Sequence, residues 1–344
     1  MTKRGAGFLV VIAIGGVVGA GSEKSRHDLT EFAEKIGLSR ELNAGVRVGS
    51  DANGVLRIVD EGNFVMQYMV VGAEGAAEPN VIIGPDVHIK STVDKAVIIT
   101  HGWIDQGERD WPSGIAAAIR ERTDPNEWVC GYFDWRGGAK VVSPVDAARY
   151  GRDIGGKRLG KALCRLGVGL RHVHLIGHSA GSWTIDSAGK YVSENAGLDT
   201  LHLTYLDAYV PSTWDSSELA DIRGVGQLRV YAEHYYTKDI TLKVTEEDLE
   251  HAFNADITAV DPWFKEHEFP YRWYHASITG SYERFDEKKS SVVTSGQGRQ
   301  YGFGRSLEAG ADNFESSLGL GKGNKAVKLK AKSKPFGLDL FKKR

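Results

Sequence analysis

From Lys95 onward the chain alternates short, wholly apolar runs with segments of helical period, and few folds accept that rhythm. AVIIT (96–100), EWVCGYFDW (127–135), VHLIG (173–177), LHLTYL (201–206) and LRVYAEHYY (228–236) read as buried strands. Helical patterns lie between them. One runs over about 112–122, with Pro112 suited to a first turn. Another runs from Asp146 to Leu166, where Tyr150, Ile154, Leu159, Leu163 and Leu166 share a face. The alternation predicts an α/β fold, a mostly parallel central sheet with helices on both faces. In such sheets reactive residues gather at the carboxyl ends of strands.

The flanks of this region differ from it. Residues 1–20 carry Lys3 and Arg4, then an apolar run from Phe8 to Ala20, the layout of a secretory signal peptide. Thirteen residues of helix span about 20 Å, short of a hydrocarbon core of about 30 Å. Residues 21–54 are polar and glycine-spotted. VLRIV (55–59) and FVMQYMVV (64–71) read as strands joined by DEGN, opening a domain over 55–285. Within it, 238–274 reads as a cap insertion ending in Trp263, Phe264, Phe269, Tyr271, Trp273 and Tyr274. These aromatics suit ordinary packing on the sheet, or an acyl-binding wall or mobile lid.

After about residue 285 periodicity fades, and 286–344 reads as a flexible basic tail. Residues 322–344 hold nine Lys/Arg against one acid, a solvated segment or a contact for anionic surfaces. The whole-chain net charge of −2 gives no reason to expect nucleic acid as a partner. Export permits a disulfide between Cys130 and Cys164, but a free buried thiol fits Cys130 equally well. No Cys/His cluster has ligand spacing, so no metal is expected.

VHLIGHSAGSWTID (173–186) contains Gly-x-Ser-x-Gly. With 42 glycines in 344 residues that pattern arises readily by chance, so its surroundings must decide. They fit: an apolar strand precedes Ser179 and a helical segment follows it, the context of a nucleophile on a tight strand-to-helix turn. A serine hydroxyl needs a base, and the base an orienting acid, in the chain order Ser, acid, His. Asp207 ends the next strand; Glu233 and Asp239 are rival acids. His234 and His275 compete for the base, His275 preceding a plausible helix. His251 and His267 lie in a charged stretch and read as solvent-facing, and His178 receives no proton-transfer role. The N–H groups of Trp103 and Ala180 suit an oxyanion hole.

With these motifs assembled, the chain resembles the lipase family of pancreatic and lipoprotein lipases, from about Phe64 to Tyr282. THGWIDQGERDW (100–111) is similar to that family's oxyanion segment. YFDWRGGA (132–139) is similar to its Val-Asp-Trp-Lys-Gly-Gly segment, and VHLIGHSAG to its serine motif. The resemblance implies an α/β-hydrolase fold and a cofactor-free ester hydrolase, with Ser179 as nucleophile, Asp207 as acid and His275 as base. It also implies a non-catalytic role for His234. Three departures stand out: Ala180 replaces a usual Leu, Asp207-Ala208 replaces Asp-Pro, and no Cys lies in 237–275. The other readings of the same residues are a non-catalytic lipid or cell-envelope binder, and a serine hydrolase of amides or thioesters.

Overall fold

The computed structural model describes residue 31 and residues 44–76, 79–103, 110–223, 226–238, 243–245, 247–261, 266–282, 290–296, 298–309 and 326–330. The suspected signal peptide, Trp263 and Phe264 lie outside these.

Ten strands form one sheet in the order β12-β9-β8-β7-β6-β4-β5-β2-β1-β3. They are β1 (Val46–Ser50), β2 (Leu56–Asp60), β3 (Val81–Ile83), β4 (Lys95–Thr100) and β5 (Trp128–Asp134). After these come β6 (His172–His178), β7 (Thr200–Leu206), β8 (Arg229–Tyr236), β9 (Phe253–Asp256) and β12 (Val327–Lys328). The β1–β2 pairing is antiparallel; every other pairing in this sheet is parallel. A two-stranded ribbon, β10 (Ser295–Gly296) and β11 (Arg299–Gln300), stands apart. The expected α/β architecture is what the chain adopts.

Side-chain alternation along the central strands builds two cores. On β4, Ala96 and Ile98 face one side; Val97 and Ile99 face the other. The first side carries helices α2 (Pro144–Tyr150), α3 (Gly156–Cys164) and α4 (Gly181–Asn195), a π-helical turn at Gly151–Gly155 joining α2 to α3. The second carries α1 (Trp111–Arg120), α5 (Phe269–Thr279) and α6 (Phe303–Ala309). Every residue of β6 and β7 is buried, which their apolar runs require. Among the described residues no helix is long and apolar enough to cross a membrane. Cys130 and Cys164 are both free thiols.

Four segments depart from the sequence reading. Residues 64–71, expected as a strand, contain a π-helical turn at Val65–Val71. Asn63 dictates this: its side chain accepts the Met66 N–H at 3.0 Å and its carbonyl the Gln67 N–H at 2.9 Å. Arg158 then draws the Gln67 amide inward, donating at 2.6 Å. β1 arises within the polar segment 21–54, and β9 within the stretch read as a cap. Part of the expected tail is structured as well: Val293, Tyr301, Phe303 and Leu329 are core residues, and β12 pairs with β9.

Candidate active site

Ser179 follows β6 directly and has φ +54, a left-handed conformation unusual for a residue with a side chain. The two glycines around it are steric necessities. A Cβ at Gly177 would sit 2.7 Å from the Gly181 carbonyl oxygen, and one at Gly181 would collide with that of His101. The turn therefore closes only with glycine on both sides of the serine. α4 starts immediately afterwards, so its N-terminus faces the space around the hydroxyl.

Asp207 follows β7, also at positive φ (+51), and is fully buried. Its Oδ1 accepts the Thr237 N–H at 2.8 Å. Burial pushes its carboxyl above the usual aspartate range, while an adjacent imidazole and the Thr237 and Thr245 donors pull against that rise. His234 is fully buried beneath this turn. Its Nε2 accepts the Ala208 N–H at 3.2 Å, leaving Nδ1–H for Asn254 Oδ1 at 3.2 Å. Proline at 208 would have no hydrogen to give, so Ala208 and His234 form a matched pair here. His234 thus braces the acid's turn.

The imidazole between Ser179 and Asp207 belongs to His267. Its Nε2 lies 2.9 Å from Ser179 Oγ and its Nδ1 2.6 Å from Asp207 Oδ2. The structure does not bring His275 to this position. His275 lies within α5, roughly two turns beyond His267, because the helix begins at Phe269, ahead of it. His267 sits on the short 3-10 turn Glu266–Glu268 that leads into α5, and its side chain is only 28% exposed rather than solvent-facing. The signal that would have found it is Pro270. Proline favours the first turn of a helix, which moves the loop before that helix back to residue 267.

His101, Gly102 and Trp103 line the opposite wall at the end of β4. A Cβ on Gly102 would approach Ser179 Cβ to 2.7 Å and Oγ to 3.3 Å, so this backbone passes directly beside the hydroxyl. Trp135 fixes that segment from below. Its indole N–H donates to the His101 carbonyl at 2.9 Å, and its main-chain N–H to His101 Nε2 at 3.2 Å. Trp103 donates its own indole N–H to the Val141 carbonyl at 2.8 Å. The YFDWRGGA and THGW segments are thus one structural unit. Ala180, fully buried, opens α4 on the other side of Ser179.

Residues 86–221 match the family model described as Lipase, and they hold Trp103, Ser179, Ala180 and Asp207. This region is similar to the lipase family. It is 30% identical over 128 residues to the pancreatic triacylglycerol lipase of Myocastor coypus, 36% of this chain and 26% of that protein. It is 33% identical over 127 residues to pancreatic lipase-related protein 2 of Homo sapiens, 36% of this chain and 25% of that protein. The chain spans about a quarter of the length of the curated relatives it matches. His267 falls beyond the stretch matched by the lipase family model.

The rival acid Glu233 of this lipase-like chain is occupied elsewhere. Its Oε1 accepts from Ser306 at 2.6 Å, Thr204 at 2.9 Å and His202 at 3.2 Å; its Oε2 accepts from Tyr235 at 2.7 Å. Asp239 lies outside the described residues. Among the described residues, His174, His202 and Glu233 are the one group with ligand atoms within 4.8 Å of one another. The two rings stack at 3.8 Å with planes only 4° apart, and the hydrogen on His202 Nε2 points to Glu233, leaving no lone pair there for an ion. With Glu233 already satisfied, the group reads as a hydrogen-bond network fastening α6 to the sheet.

Proposed function

We propose that this chain is a serine ester hydrolase acting on lipid esters. The observation that carries the reading is the continuous relay Ser179 Oγ to His267 Nε2 and His267 Nδ1 to Asp207, at 2.9 and 2.6 Å. The names of the pancreatic lipases it resembles support the substrate class.

In this mechanism Ser179 Oγ attacks the ester carbonyl carbon as His267 Nε2 takes its proton. Asp207 holds the Nδ1–H tautomer and balances the imidazolium charge. The main-chain N–H groups of Trp103 and Ala180 receive the oxyanion, aided by the positive end of α4. The carbon–alkoxy bond then breaks, and His267 gives its proton to the departing alcohol. Water attacks the acyl-serine with His267 as base, and Ser179 is restored with release of the acid. None of these steps involves a cofactor. The segment 1–20 is proposed to direct export.

Purified protein should hydrolyse p-nitrophenyl esters and carry a fluorophosphonate label at Ser179. Ser179→Ala should abolish both. A folded wild-type protein that neither labels nor hydrolyses esters would return the site to a binding role. Faster turnover of amides or thioesters in the same assays would replace the ester assignment.

A further inference from the structure

His178 stands beside Ser179 and closes β6. It is buried, and its Nε2 lies 2.8 Å from the main-chain carbonyl oxygen of His267. A carbonyl can only accept, so Nε2 carries the hydrogen and donates it. The two imidazoles lie 4.6 Å apart with planes tilted by 39°. Trp111 of α1 and Tyr271 of α5 stack on each other at 4.4 Å. Both meet the His178 ring edge-on, at 5.8 and 5.0 Å. Its orientation is therefore set by elements that carry no reacting group.

His267 itself stands on a much shorter element. A single 3-10 turn holds it, and runs of this kind are short and poorly hydrogen-bonded. Ser179 and Asp207 stand on strand ends that cannot shift without the sheet, while the imidazole between them must keep two bonds at once. A displacement of about 1 Å at such a site costs on the order of a hundredfold in rate.

We propose that His178 is the positioning residue of the base, its Nε2–H holding the His267 main chain so that the imidazole stays on Ser179 and Asp207. The inference rests on the reading of Ser179, His267 and Asp207 as a catalytic triad. It makes one strand end serve two purposes: the turn that raises Ser179 Oγ also anchors the group that deprotonates it. Burial first, then repulsion from His267 and from His101 at the end of β4, hold His178 well below the ordinary histidine range. It therefore stays a neutral donor while charge forms on its neighbour.

The test compares variants with and without a donor at position 178. His178→Phe keeps a ring and removes the N–H; His178→Gln keeps an N–H. In His178→Phe, fluorophosphonate labelling of Ser179 and kcat for a p-nitrophenyl ester should both fall about tenfold to a hundredfold. KM and Tm should be unchanged, and His178→Gln should recover most of the loss. A merely structural histidine would lower Tm and be indifferent to the donor. Should His178→Phe fail to fold, His178→Met set against His178→Gln makes the same comparison. Equal labelling rates with and without the donor overturn the positioning role and leave the triad intact. A wild-type protein that does not label overturns the triad, and this inference with it.

Discussion

At the scale of single residues, the site turns on which histidine reaches Ser179. His267 makes both contacts that a base needs, while His275 stands roughly two turns further along α5. His267→Ala should therefore lower kcat/KM for an ester by about a thousandfold or more, the scale seen when one member of such a unit is removed. His275→Ala should stay within about threefold of wild type, and both should keep the wild-type melting temperature. A large loss in His275→Ala with an active His267→Ala would reverse the assignment. The serine and the aspartate were legible in the sequence because each follows a buried strand, and strand ends can be read from apolar runs. His267 was not, because it lies on a turn marked in the sequence by a proline three residues later. Chemical plausibility favoured His275, yet the helix boundary decides which imidazole faces the crevice.

At the scale of elements, what holds the sheet's far edge to the helices is a buried polar anchor. Arg158 of α3 forms an ion pair with Asp60 at the end of β2, and both side chains are almost fully buried. Arg158 also donates to the Ala76 carbonyl at 2.7 Å and to Gln67 at 2.6 Å, and Tyr150 donates to Asp60 at 2.6 Å. Five pieces of chain thus meet at this ion pair: β2, the π-helical turn, the short helix ending at Ala76, α2 and α3. Removing one partner of a buried pair strands the other without compensation, which costs about 3 to 5 kcal/mol. Arg158→Met should lower stability by about that much in urea unfolding, with an unchanged m-value. A loss below about 1 kcal/mol would mean that water reaches Asp60 and that the anchor is weaker than its burial implies. The same anchor explains why FVMQYMVV misleads. Its β-branched and aromatic residues favour a strand, but Gln67 is needed inward beside Arg158, and that contact outweighs a propensity worth about 1 kcal/mol across its whole scale. β9 and β12 escaped notice for the opposite reason. At four and two residues they are too short to carry a period, and only the edge already built by β8 gives them a place.

At the scale of the whole molecule, the histidines of the sheet make its stability depend on pH. His172, His174 and His178 lie on β6, His202 on β7 and His234 on β8, and all five are buried. Burial holds each below the ordinary histidine value; His172 is lowered to about 4 and His234 to about 3. In the unfolded chain each would bind a proton near pH 6.5. Between that pH and the folded values the unfolded state holds more protons, so stability is fully present above about 6.5 and declines as pH falls. Each such histidine contributes a slope of up to about 1.4 kcal/mol per pH unit. Asp186 and Asp207, raised by burial, act in the reverse sense, since the folded state keeps their protons to higher pH. The histidines outnumber them, and their window opens at higher pH than the unfolded carboxylate range near 4. Urea midpoints measured at pH 7, 6 and 5 should therefore fall steadily, with the steepest loss below pH 6.5. Midpoints that stay level or rise toward pH 5 would show that these imidazoles take up protons without unfolding.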